Sequence, residues 1–192
     1  MSDTGRMGTE AAREAFLEVQ ALAKRWYEKE REGIALIESF ETALLSCRST
    51  QGKARDKSTQ PKSAFEMGEE DAQAMMDPWL AEDLFQQIKG LSIAFTELLE
   101  QMYATLTTTK TAFEEHETSI AGSPDEPLAL TIADYVQFMS LEAAAFETEY
   151  QHIEALLAMM SFEITTDQLR TLVISWSTSP FLDPERSREF RQ

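Results

Sequence analysis

The sequence holds one cysteine, Cys47, and two histidines, His116 and His152. A lone cysteine excludes an intrachain disulfide and a four-cysteine zinc site. Glycine (7) and proline (6) are scarce in 192 residues, so the turns of a many-stranded sheet are poorly provided for. Long apolar runs are missing as well. The longest is Ala155 to Met160, far short of the roughly 20 residues that span a bilayer. The opening MSDTGRMGTE has no apolar stretch of a secretory signal. The expectation is a protein of a reducing interior, in the nucleus and also the cytoplasm, without a membrane.

Basic charge is short in one region. The formal charge is −17. Residues 1–62 hold 11 basic and 10 acidic residues, and residues 166–192 hold 4 of each. Residues 63–165 hold only Lys89 and Lys110 against 20 acidic residues. The acidic excess therefore sits in the middle. Such a surface repels phosphate backbones, so direct nucleic-acid binding is not expected. It reads either as a solvated helical face or as a docking surface for a basic partner.

Catalytic signatures are also missing. There is no glycine-rich phosphate loop, no G-x-S-x-G and no His-Glu-x-x-His. The run Glu114 to Glu117 places His116 among glutamates but lacks a second histidine one helical turn away. Glu149 and His152 stand in Glu-x-x-His order, a motif that di-iron bundles use twice; one copy is present. Carboxylates without a pocket do not make an acid–base pair. No catalytic residue, metal or cofactor is expected.

What is present is helix. Leu, Ala, Glu, Gln and Met, all good helix formers, dominate. Phe16, Val19, Ala23, Trp26, Glu30, Gly33, Ile37, Phe40, Leu44 and Cys47 alternate steps of three and four, the spacing of a heptad seam. It falters at Glu30 and Gly33, where the gain would be close approach of another helix, or a kink. A first helix is expected over 9–47, after a disordered stretch 1–8. Residues 48–78 read as a flexible linker. A second helix starts at Trp79, with Asp77 as N-cap and Pro78 at its first turn. Its face carries Leu84, Ile88, Leu91, Phe95, Leu98, Met102, Leu106, Phe113 and Ile120, with bending expected at the threonines of ATLTTTKT. A loop follows at Ala121 to Leu130.

The third seam starts near Thr131 and runs through Ile132, Val136, Met139, Ala143, Phe146, Tyr150, Ile153, Leu157 and Met160. A short fourth helix, 166–176, carries Leu169, Leu172, Val173 and Trp176, capped by Thr165 or Thr166. The segment 79–176 thus holds a helical hairpin and the short helix, and 177–192 is a tail that packs or docks. The fold class expected is all-α: an elongated antiparallel bundle of three long helices and one short one. Seams of this length suit a hetero-oligomer. Trp26 and Trp79 read equally as core residues or as anchors in a partner's pocket. Ser123 and Ser179 precede proline, and Ser63 and Ser123 have an acidic residue three positions on, as minimal kinase sites do.

Three features carry a resemblance. The first is Arg25-Trp26 followed by Gly33. The second is a polar linker leading to a long helix that ends near Glu114 to Glu117. The third and most specific is Leu169, Leu172, Trp176, Pro180 and Phe181 in the pattern L-x-x-L-x-x-x-W-x-x-x-P-aromatic. In this order they resemble the cyclin-dependent kinase 2-interacting protein family, CINP. The related AFG2-interacting ribosome maturation factor family, AIRIM, is similar in helix plan and in the segment Phe113 to His116. The strongly acidic middle departs from the CINP pattern.

The resemblance implies a non-enzymatic adaptor. It would pair with an AIRIM-like helical subunit and dock on AFG2-type AAA+ ATPases that act in large ribosomal subunit maturation and in replication-associated protein turnover. Cyclin-dependent or Dbf4-dependent kinases are further partners it implies. The residues expected to carry partner binding or fold closure are Trp26, Gly33, Phe40, Trp176, Pro180 and Phe181. The other reading is a structural coiled-coil subunit of a tether or kinetochore type.

Overall fold

Strong helix formers carry the chain into four helices: α1 (Asp3–Asp56), α2 (Glu69–Glu117), α3 (Ile132–Ala158) and α4 (Thr166–Ser177). The computed structural model describes residues 3–56, 69–117 and 130–182, with side chains for 8–49, 79–114 and 130–182. No strand occurs among the described residues.

Helix boundaries correct the sequence expectation in three places. α1 starts at Asp3, not Thr9, despite Gly5 and Gly8, and it runs past Cys47 to Asp56. Once a helix is nucleated, each added residue gains a backbone hydrogen bond, which outweighs the roughly 1 kcal/mol that a glycine costs. α2 starts at Glu69, so Asp77 is not its N-cap and Pro78 lies within the helix. Glu69 to Met76 are mostly strong helix formers, and they extend the helix through a proline that costs about 3 kcal/mol. Residues 48–56 and 69–78 of the expected linker are thus helical, while 57–68 lie outside the described residues, as do Ile120 and most of the expected loop Ala121 to Leu130.

The threonine-rich stretch of α2 stays helical. Thr108, Thr109 and Thr111 donate their hydroxyls to the carbonyls of Ala104, Thr105 and Thr107, at 2.9–3.0 Å, which satisfies the polar group locally. At the start of α3 the Thr131 amide and hydroxyl both donate to Asp134 Oδ2 at 2.7 Å, and the Asp134 amide donates back to Thr131 Oγ1. These bonds stabilise the anion and hold the Asp134 carboxyl below its ordinary range.

The helices contribute to two units. The first takes the described residues of Met1–Lys29, Ile93–His152 and Pro180–Gln192. Its core joins Phe16, Val19, Ala23 and Trp26 of α1 to Phe95, Leu98 and Met102 of α2 and Met139, Ala143 and Phe146 of α3. Trp26 lies between Phe95 and Phe146, with ring centroids 4.6 and 5.1 Å away. Polar ties flank this core: Gln20 to Glu142 at 2.5 Å, Thr96 to Tyr150 at 3.0 Å, and Tyr103 to Glu147. The bond to the Glu147 carboxylate stabilises the neutral phenol of Tyr103 and pushes its pKa up to about 12.

The second unit is Glu30–Ser92 with Ile153–Ser179. Ile37, Phe40 and Leu44 of α1 meet Leu84, Ile88 and Leu91 of α2, the end of α3, and Leu169, Leu172 and Trp176 of α4 in one apolar core. Phe40, Phe85 and Phe162 form a ring cluster with centroids 4.9–5.8 Å apart.

Candidate functional site

The C-terminal motif builds α4 in the second unit and continues into the first at Pro180 and Phe181. α4 starts on a capping box: the Gln168 amide donates to Thr165 Oγ1 at 3.2 Å, and Gln168 Oε1 accepts from the Thr165 amide at 2.9 Å. Two orphan donors of the first turn are satisfied this way. The turn before it is held from α1. Arg48 donates to the Phe162 and Ile164 carbonyls at 3.0 and 2.7 Å, bonds strengthened by the guanidinium charge.

Leu169, Leu172 and Trp176 are then spaced to fall on one face, and all three are buried. The Trp176 indole lies directly on Gly33. A Cβ built on Gly33 would stand 2.8 and 2.9 Å from Trp176 Cη2 and Cζ2 and 3.1 Å from Leu91 Cδ1. Real Cβ atoms do not come that close to carbon. The break in the α1 seam at Gly33 is therefore a seat for α4, the close approach expected of it.

The chain after α4 is held by two buried carboxylates, one in each unit. In the second unit Ser179 adopts a left-handed φ of 37°, a conformation that costs a non-glycine residue about 1 kcal/mol. Its amide donates to the Trp176 carbonyl at 3.0 Å, and its hydroxyl donates to Glu30 at 3.3 Å. Glu30, the other fault in the α1 seam, is only 5% exposed. In the first unit the Phe181 amide donates to Glu149 Oε2 at 3.1 Å, and the Phe181 ring meets His152 edge-on at 5.9 Å. Glu149 is fully buried, and its Oε1 has no hydrogen-bond partner among the described residues. Burial pushes its carboxyl above the ordinary value; the Phe181 amide and the charge of His152 act the other way.

The six residues singled out from the sequence thus fall into two groups. Trp26, Gly33, Phe40 and Trp176 are buried, so in this conformation they close the fold and present no surface to a partner. Pro180 is exposed and Phe181 is 49% exposed. Trp79, whose role the sequence left open, is 79% exposed. The side chain of His116 and residues Ser63 and Ser123 lie outside the described residues, while Ser179 is half-buried against Glu30. Among the described residues no group of three or more His, Cys, Asp or Glu could hold a metal ion. No helix described is long and apolar enough to cross a membrane.

Sequence reasoning missed Glu149 as a seat for the tail and Arg48 as the tie to the turn before α4. One signal was available for Glu149: it lies three residues after Phe146, on the buried side of α3. No family model matches this chain, and no curated protein or solved structure matches it.

Proposed function

We propose that this chain is a non-enzymatic adaptor of the CINP type, an antiparallel helical bundle that pairs with a homologous, AIRIM-like helical subunit and docks on AFG2-type AAA+ ATPases. Its setting would be nuclear, in large ribosomal subunit maturation and replication-associated proteostasis. The observation that supports this reading is the contact between Gly33 and Trp176. These residues come from two sequence features on which the resemblance rests, 143 positions apart by their numbers, and each accounts for the other: the indole needs the missing Cβ. Phe181, held by its own amide and half-open to solvent, and the exposed Pro180 beside it are the residues of the motif left to meet a partner.

The experiment is affinity purification of the tagged full-length chain from its native cells, read by mass spectrometry. AAA+ ATPase subunits and a small helical homologue recovered in comparable amounts are expected. Their absence, with a set of tether or kinetochore coiled-coil proteins in their place, would sink the proposal. Phe181→Ala separates docking from folding, because the backbone bond to Glu149 survives it: the variant keeps the helical content and loses partner yield.

A further inference from the structure

A groove runs beside α4 in the second unit, lined by the end of α3, the turn that follows it and α4 itself. Its volume is about 720 Å³, within the roughly 300–1,000 Å³ of ligand sites. Leu156, Ile164 and Leu172 form an apolar floor and are buried, while Met159 stands beside them 57% exposed. A methionine is soft and unbranched, and it adapts to what it meets. Glu163 and Asp167, both exposed, carry the charge of the lining, and among the described residues no Lys, Arg or His takes part in it. From Ile153 to Leu169 the chain holds Glu154, Glu163 and Asp167 and no lysine or arginine. The cations around the turn are engaged elsewhere: Arg48 on the Phe162 and Ile164 carbonyls, Lys89 on the Leu157 carbonyl, and Arg170 on Glu41 at 3.6 Å. Arg170 also stands 4.0 Å from Asp167, with both side chains exposed, and such a pair is worth little.

We infer that this groove docks a basic amphipathic helix of a partner protein. An apolar side chain of that helix seats against Met159, and its lysines or arginines meet Glu163 and Asp167. Charge selects the occupant. An acidic rim without a base repels phosphate groups, nucleic acid and acidic peptides, and it attracts a cationic segment. A second copy of this chain brings a formal charge of −17, the wrong sign for that rim. The chain's own C-terminal residues 183–192 balance Arg186, Arg188 and Arg191 against Asp183, Glu185 and Glu189, so they bring no net positive charge. The apolar floor in turn asks for more than a polar basic chain, which would leave it unfilled. Length favours a helix: α4 lines the groove from Asp167 to Ser175, a rise of about 12 Å. That is room for anchors one helical turn apart, the spacing with which an amphipathic helix lies in a groove. The inference uses none of Gly33, Trp176 or Phe181, and it stands or falls apart from the adaptor reading.

The test is fluorescence anisotropy of a labelled peptide titrated with the full-length chain. The peptide has about 18 residues, long enough to form a helix, with leucine at every third or fourth position and lysine elsewhere. Micromolar binding that weakens with added salt is expected. Glu163→Lys with Asp167→Lys should weaken it about tenfold or more. Met159→Asp should weaken it about as much, although it adds a negative charge; bare attraction of a cationic peptide to an acidic protein would grow stronger instead. Glu14→Lys with Glu18→Lys, exposed in the first unit, makes the same change in net charge and should leave the affinity within about twofold. Circular dichroism of each variant should match the parent. If one groove variant loses helical signal, the other carries the reading. No binding at about 100 μM peptide partner, equal losses from the two charge-reversed pairs, or tighter binding by Met159→Asp overturns the inference. So does tighter binding by Phe190→Ser, which would name the chain's own tail as the occupant. A dimer in sedimentation velocity that Met159→Asp dissolves would name a second copy and overturn it as well.

Discussion

The same substitution at the two helical glycines with described surroundings should have opposite signs. At Gly33 a new Cβ must find room against Trp176, whose Cη2 and Cζ2 would be 2.8 and 2.9 Å away, and against Leu91 Cδ1 at 3.1 Å. Ordinary contact begins near 3.4 Å, so the indole has to withdraw by several tenths of an ångström. It is rigid and fully buried, and overpacking of that kind costs about 1–3 kcal/mol. Alanine returns about 0.5–1 kcal/mol of helix propensity. Gly33→Ala is therefore destabilising by roughly 1–2 kcal/mol. At Gly90 nothing stands within 4 Å, so Gly90→Ala keeps the propensity gain and is stabilising by about 0.5–1 kcal/mol. Urea unfolding of the two variants beside the parent measures both. A double variant, Gly33→Ala with Trp176→Phe, should recover part of the first loss, because the smaller ring vacates the contact, and the recovery appears as a coupling energy. Stabilisation by Gly33→Ala, equal to that at Gly90, would refute the packing argument and with it the pairing of the two motif features.

Three further outcomes follow from the same geometry. Trp176→Ala leaves a void in the core of the second unit and should cost about 3–5 kcal/mol, read as loss of cooperative unfolding; a variant with the parent's unfolding midpoint would mean that the indole is not the keystone of α4. Thr165→Ala removes the capping box and should cost about 1 kcal/mol, with faster hydrogen exchange at the Gln168 amide; unchanged exchange would contradict the box. Glu149 has its carboxyl raised by burial, so the folded state holds its proton more tightly than the unfolded state. The contribution of Glu149 to stability is therefore greatest at low pH and falls as pH rises through its folded pKa. Glu149→Gln keeps an acceptor for the Phe181 amide without the charge, so it should match or exceed the parent at neutral pH. The gap should close as pH drops towards the ordinary glutamate value; a gap that widens on acidification would show the carboxylate to be the favoured form.

Helical periodicity was legible because one physical cause, burial of a stripe, writes it into every third or fourth position. From Phe16 to Leu44 each α1 seam position is buried, and Leu84 to Leu106 on α2 are buried as well. Helix ends were legible at Thr165 and Thr131, where a side chain does the capping, and near Glu117, where α2 ends. Elsewhere they were set by propagation of a long helix through residues that read as breakers, Gly5, Gly8 and Pro78, and local preference loses to the continuing hydrogen-bond ladder there. Trp79 was undecidable because a tryptophan at helical spacing looks the same on either face. Only the position of the neighbouring helices puts it outside.

The polar faults in the seams were the least legible features, and they give the C-terminal segment its specificity. Glu30 occupies a seam position where an apolar residue would pack, and Glu149 lies buried three residues after Phe146. Each accepts a hydrogen bond from the chain after α4: Glu30 from the Ser179 hydroxyl, Glu149 from the Phe181 amide. A buried carboxylate costs free energy unless donors meet it, so each seat favours the particular conformation that supplies its donor over other ways of laying an apolar tail on helices. That constraint accounts for the left-handed Ser179, whose strain is offset by bonds that an extended backbone would not present together. It also accounts for a half-exposed Phe181, whose place is fixed through its amide, leaving one edge of the ring on His152 and the rest open. Anchoring through the backbone thus fixes Phe181 while about half of it stays exposed.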